Sequence, residues 1–233
     1  MVNVYTINIQ NDSGSDQTYA VFNAVPKVKT DVNQPSIWSN VFATADTPHT
    51  EPCKFEIFEQ WTAQIGTSQG SPAEGVVVSV QGNQLVTLGY LDDQGKQVAG
   101  TSKEMYAPGG KFPQFQEPDP TPAGDEGAFQ FVTSSDFTVQ EATDGNWMIG
   151  IGGMTDPTGK QAAPAALFSP QPNAQYQIQP VVTFYVTFGT YTSSTLVNIQ
   201  EVGTQTLMVN FTELGKDTVN VEHNAHGELV ILS

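Results

Sequence analysis

The feature that most constrains this chain is the stretch from Gln175 to Tyr191, QYQIQPVVTFYVTFGTY. Val182, Phe184, Val186 and Phe188 recur at every second position and share one face of a pleated strand. Thr183, Tyr185 and Thr187 fill the other face and are also good strand formers, so both faces are expected to be covered. Pro180 lacks a ladder donor and marks the start, and Gly189 loosens the backbone at the end. The stretch therefore reads as the central strand of a β core.

The remaining chain supplies neighbours for it. Tyr5, Ile7 and Ile9 alternate with polar residues, and NDSGSD over 11–16 is a turn, so Tyr19–Ala24 is expected to return as a hairpin partner. Further strands are expected at Ile37–Ala45, Cys53–Ile65, Phe129–Thr133, Phe137–Glu141, Trp147–Ile151, Ala165–Phe168, Leu196–Ile199, Leu207–Phe211, Val219–Val221 and Leu229–Leu232. Val76–Val80 and Leu85–Leu91 read as a hairpin across Gln81–Asn83, and Pro26–Pro35 and Gly152–Ala163 as loops. No segment of about a dozen residues has helical period. Many short strands between turn signals mean an all-β fold, sandwich-like, with short antiparallel strands and little helix. Residues 1–233 read as a single β domain. The segment 105–127, with five prolines and four glycines, joins two halves, 1–104 and 128–233.

Charge narrows the partners. The net charge is −16, all eight basic residues are lysine, and arginine is absent. Nucleic acid and anionic lipid surfaces should be repelled. The N-terminus lacks the basic and continuous apolar segments of a secretory signal, no apolar run approaches the roughly 18 residues of a membrane span, and Cys53 stands alone. These point to a reducing, cytoplasmic location, and no cofactor is implied.

Candidate chemistry is sparse. His223 and His226 form an HxxH pair that His49 could complete as a metal site, although the pair falls in a turn where side chains need not converge. Cys53 and His49 could form a nucleophile and base, but a lone cysteine is more often a small buried hydrophobe. Gly150-Ile-Gly-Gly153 is no phosphate loop, because Thr155 replaces the third glycine and a proline follows. The loop aromatics Trp38, Tyr90, Tyr106, Phe112 and Phe115 could stack on sugar rings or line an apolar pocket.

Two stretches carry a resemblance. YTINIQNDSG over 5–14, and QPNAQYQIQPVVTFYVTFGTYTSSTLVNIQEVG over 171–203 with its Phe184-Tyr185 pair and Phe188-Gly189, resemble the rhizosphere-induced protein family of bacteria and fungi. The resemblance covers about a fifth of the chain. It implies a soluble all-β protein and no catalytic residues. The expected function is that of a soluble, non-catalytic binding protein that takes a glycan or small ligand through loop aromatics. The rival is a cofactor-independent cyclase or isomerase acting on a small apolar molecule through Asp, Glu or His.

Overall fold

A computed structural model of the chain describes residues 3–156, 158–198 and 205–232. In chain order the first strands are β1 (Val4–Asn11), β2 (Gln17–Asn23), β3 (Lys27–Thr30), β4 (Trp38–Thr47) and β5 (Pro52–Ser68). There follow β6 (Val78–Val86), a small hairpin of β7 (Tyr90–Leu91) and β8 (Gln97–Val98), then β9 (Ser102–Tyr106), β10 (Gln114–Phe115) and β11 (Phe129–Thr133). The last third holds helix α1 (Val139–Asp144), β12 (Trp147–Met154), β13 (Ala162–Phe168), β14 (Gln175–Gln179), β15 (Thr183–Phe188) and β16 (Leu196–Val197). It ends with β17 (Leu207–Asn210), helix α2 (Phe211–Leu214), β18 (Thr218–His223) and β19 (Leu229–Leu232). The fold is all-β.

Among the described residues the strands form one large sheet ordered β17-β15-β2-β4-β13-β12-β5-β1-β18-β19, with β16 added on β4 and β6 on β5. Its two ends curl toward each other. Val209 from one end and Val219 and Val221 from the other bury into the same apolar core, with Ile7, Ile9 and Phe184. The curled sheet is nearly a closed barrel, and among the described residues β17 and β19 remain its edges. A second sheet, β10-β9-β11-β14-β3, packs face to face on the large one. Phe129, Phe131, Tyr176 and Ile178 meet Ala63, Ile65, Ile149 and Ile151 in that interface. The molecule is thus barrel-like at one end and sandwich-like at the other.

β5 makes both ends possible. Its 17 residues span about 55 Å at the strand rise of roughly 3.3 Å per residue. Phe55 and Ile57 serve the barrel core, and Ala63 and Ile65 serve the sandwich core.

Several expectations are corrected. Gln175–Tyr191 is two strands, not one: Pro180 breaks the ladder, β14 joins the small sheet, and β15 lies one strand in from an edge of the large sheet. Within β15 the predicted faces hold. Phe184 and Val186 enter the barrel core, while Tyr185 stacks on Phe22 with ring centroids 5.5 Å apart. β1 and β2 are not a hairpin, since β1 pairs with β5 and, in parallel, with β18, and β2 pairs with β4 and β15. Phe137–Glu141 is not a strand. Thr138 Oγ1 accepts from the Glu141 N–H while Glu141 accepts from the Thr138 N–H, a capping box that starts α1. Val76–Leu91 holds no hairpin at Gln81–Asn83. β6 continues through Gly82 as one strand, with the register to β5 shifting past Gln81, and the Phe115 ring lies 3.1 Å from the position a Gly82 Cβ would take. The 26–35 loop contains β3, and the expected 152–163 loop is shorter than its bounds, since Gly152–Met154 belong to β12 and Ala162–Ala163 to β13. Of the strand expected at Leu196–Ile199, Leu196 and Val197 form β16, and Ile199 lies outside the described residues. The small sheet takes strands from both sides of 105–127, because β3 pairs with β14 and β9 with β11.

Candidate functional site

The five loop aromatics do not converge. Trp38 lines a groove of about 300 Å³ with Ser36, Ile37 and Asn198. Tyr90 stands 56% exposed on the β7–β8 hairpin. Tyr106 and Phe115 sit on the paired strands β9 and β10 but out of register, with Tyr106 opposite Gln114 and Phe115 opposite Met105. Phe115 turns inward against Phe131, at a centroid distance of 6.0 Å. Phe112 is 65% exposed in the connection between them.

The three histidines are also separate. His49 is exposed after β4, its backbone N–H donating to Asp16 Oδ1 at 2.9 Å. His226 is exposed in the β18–β19 turn, its backbone N–H donating to Asn224 Oδ1 at 2.9 Å. His223 points the other way, into the barrel, and is 1% exposed. Among the described residues no three His, Cys, Asp or Glu side chains gather as a metal site.

His223 instead forms an internal pair. Its Nδ1 lies 2.9 Å from the Tyr19 hydroxyl, and its ring packs on Phe188 with centroids 4.1 Å apart. Burial pushes the imidazole pKa down and pushes the Tyr19 hydroxyl and the Cys53 thiol up. All three are neutral in the fold at neutral pH. His223 Nε2 has no hydrogen-bond partner among the described residues, and the ring lines none of the grooves found at the surface.

A more open site arises where β5 changes partners. Along one edge, β5 pairs with β1 over Pro52–Phe58 and with β6 over Trp61–Ser68. Along the other edge the ladder to β12 jumps from Trp61 to Phe58. Glu59 and Gln60 are therefore left between two diverging strands, and a groove of about 430 Å³ opens there. Glu59, Gln60 and Trp61 form one wall, and residues Leu85 to Leu88 form the other.

The walls differ in character. Glu59 is held in place: its Oε2 accepts from Asn3 Nδ2 at 2.8 Å and from the Tyr5 hydroxyl at 3.3 Å, and its own N–H donates to the Asn3 carbonyl at 2.9 Å. Tyr5 is in turn fixed against Phe211, with centroids 4.7 Å apart. Burial first, and the Glu59 charge second, push the Tyr5 hydroxyl pKa up, so it remains a donor. Glu59 Oε1 and the Gln60 amide have no side-chain partner among the described residues. Opposite them, Leu85 is 53% exposed, and Leu88 is half-buried against the sandwich core. Trp61 is only 5% exposed and presents no open ring face. The Thr87 hydroxyl is taken by Thr101 Oγ1 at 2.8 Å. No lysine lines the groove.

No protein-family model, curated protein or solved structure matches the chain. The groove itself offers one anchored carboxylate, one open amide and an aliphatic wall.

One signal of this site is present in the sequence. Phe55, Ile57 and Trp61 share a phase, and the position skipped in that phase is Glu59. A carboxylate on the apolar phase of a long strand marks a place where the core face opens to solvent.

Proposed function

We propose that this protein binds a small amphipathic molecule without catalysis, and that the groove beside Glu59 and Leu85 holds it. The observation that carries the reading is the partner exchange along β5. It leaves an opening of about 430 Å³, within the roughly 300–1,000 Å³ range of small-molecule sites. A fixed polar wall and an exposed aliphatic wall suit a ligand with one polar head and one apolar body. The enzyme reading asks for an acid–base group in an enclosed pocket. His223 is buried, but it lines no groove and its Nδ1 is engaged with Tyr19. Stacking of a sugar asks for an exposed ring face. Trp61 lacks one, so Trp38 beside Ser36 and Asn198 is the place where glycan stacking would be tested.

The test is a thermal-shift screen of small amphiphiles on the full chain, repeated with Leu85→Ser and Trp38→Ala. Leu85→Ser, at an exposed position, is expected to keep the melting temperature and lose the ligand-induced shift, while Trp38→Ala keeps the ligand response. Loss of the response in Trp38→Ala, with Leu85→Ser unaffected, would move the site to the other groove.

A further inference from the structure

We infer that the ligand of the β5 groove carries a positive charge: an amine or ammonium head on a short aliphatic body. The inference rests on the binding function proposed for this groove and deepens it. The polar wall is a carboxylate fixed by Asn3 and Tyr5, with one oxygen left over for a guest. A carboxylate already held by two donors binds a cation without first losing side-chain freedom. An ammonium or hydroxyl can donate to Glu59, whereas a guest carboxylate or phosphate would be repelled.

Two further observations favour the ammonium over the neutral hydroxyl. The net charge of −16 concentrates cations around the whole molecule, and no lysine in the groove lining competes for Glu59. The apolar side is aliphatic. Leu85 is exposed and Leu88 half-buried, while Trp61 shows no ring face, so an alkyl chain fits better than a flat sugar.

The experiment is calorimetric titration of the full chain with hexylammonium, hexanol and hexanoate, which share one tail and differ in the head. Hexylammonium should bind about two- to fivefold tighter than hexanol, the scale of a partly exposed charge pair, and hexanoate should bind weakest. Glu59→Gln should bring hexylammonium down to hexanol, and added salt should shrink the wild-type preference in the same direction. Urea unfolding of Glu59→Gln checks that the fold is intact. If that variant does not fold, the wild-type salt series and Leu85→Ser decide. A preference that falls with salt and vanishes in Leu85→Ser supports the inference, because nonspecific attraction to an acidic surface would survive loss of the apolar wall. Equal binding of hexylammonium and hexanol, both lost in Leu85→Ser, overturns the charge inference and leaves the groove as a binding site. Binding that ignores both Glu59→Gln and Leu85→Ser, or no binding of any of the three, overturns the groove reading and the charge inference with it.

Discussion

Lowering the pH should destabilise this protein through one residue, His223. Its imidazole is 1% exposed, and burial depresses its pKa below the ordinary value near 6.5. The neutral form is thus favoured in the fold, and the unfolded chain takes up the proton first. Stability from this site is complete above the unfolded pKa and is lost as pH falls through and below it. The ceiling of the effect is one proton taken up only by the unfolded state, at most about 1.4 kcal/mol between about pH 7.5 and 5.5. For a chain of this size that is a fall of at most about 3–5 °C in melting temperature. Tyr19, which pairs with it, and Cys53 near Tyr19 are both pushed up and stay neutral throughout this window. The assay is urea unfolding at both pH values for the wild type and for His223→Phe combined with Tyr19→Phe. The double variant removes both partners, so no orphaned hydroxyl confuses the comparison. It should lose most of the pH dependence. A double variant with the same pH slope as the wild type would refute the assignment to His223.

Other changes have expected magnitudes of their own. Thr138→Ala removes one arm of the α1 capping box and should cost about 1 kcal/mol in chemical unfolding. Lys103 and Asp119 pair at 2.5 Å with unequal burial, 8% against 38% side-chain exposure. Asp119→Asn, which strands a buried ammonium, should therefore cost about 2–3 kcal/mol, and Lys103→Met, which leaves a half-exposed carboxylate, about 1 kcal/mol or less. Equal losses from the two variants, read by urea midpoints, would contradict that asymmetry.

Strand identity was legible where alternation is strong and local, as in β1, β5 and the two faces of β15. Pairing was not. β1 lies beside β18, more than two hundred residues away in the chain, because both feed Ile7, Ile9, Val219 and Val221 into one core. Nothing local in either segment names the other. The strand expected at Phe137–Glu141 failed for a different reason. Thr138 and Glu141 carry a capping box that outweighs the strand preference of Phe137 and Val139. Of the predicted site residues, Trp38 reaches a groove, but the others are scattered by strand register and turn direction. The β5 groove is made by two neighbours parting. Only the carboxylate at the Glu59 position hinted at it, since the parting depends on partners far along the chain.

The most direct test of the binding site is an amide NMR titration of the labelled full chain with hexylammonium. Saturable shifts centred on Gln60, Trp61 and the Leu85–Leu88 segment are predicted, with the Trp38 groove unmoved. Shifts that are scattered over the acidic surface and never saturate, or that centre on Ser36–Trp38, would contradict it.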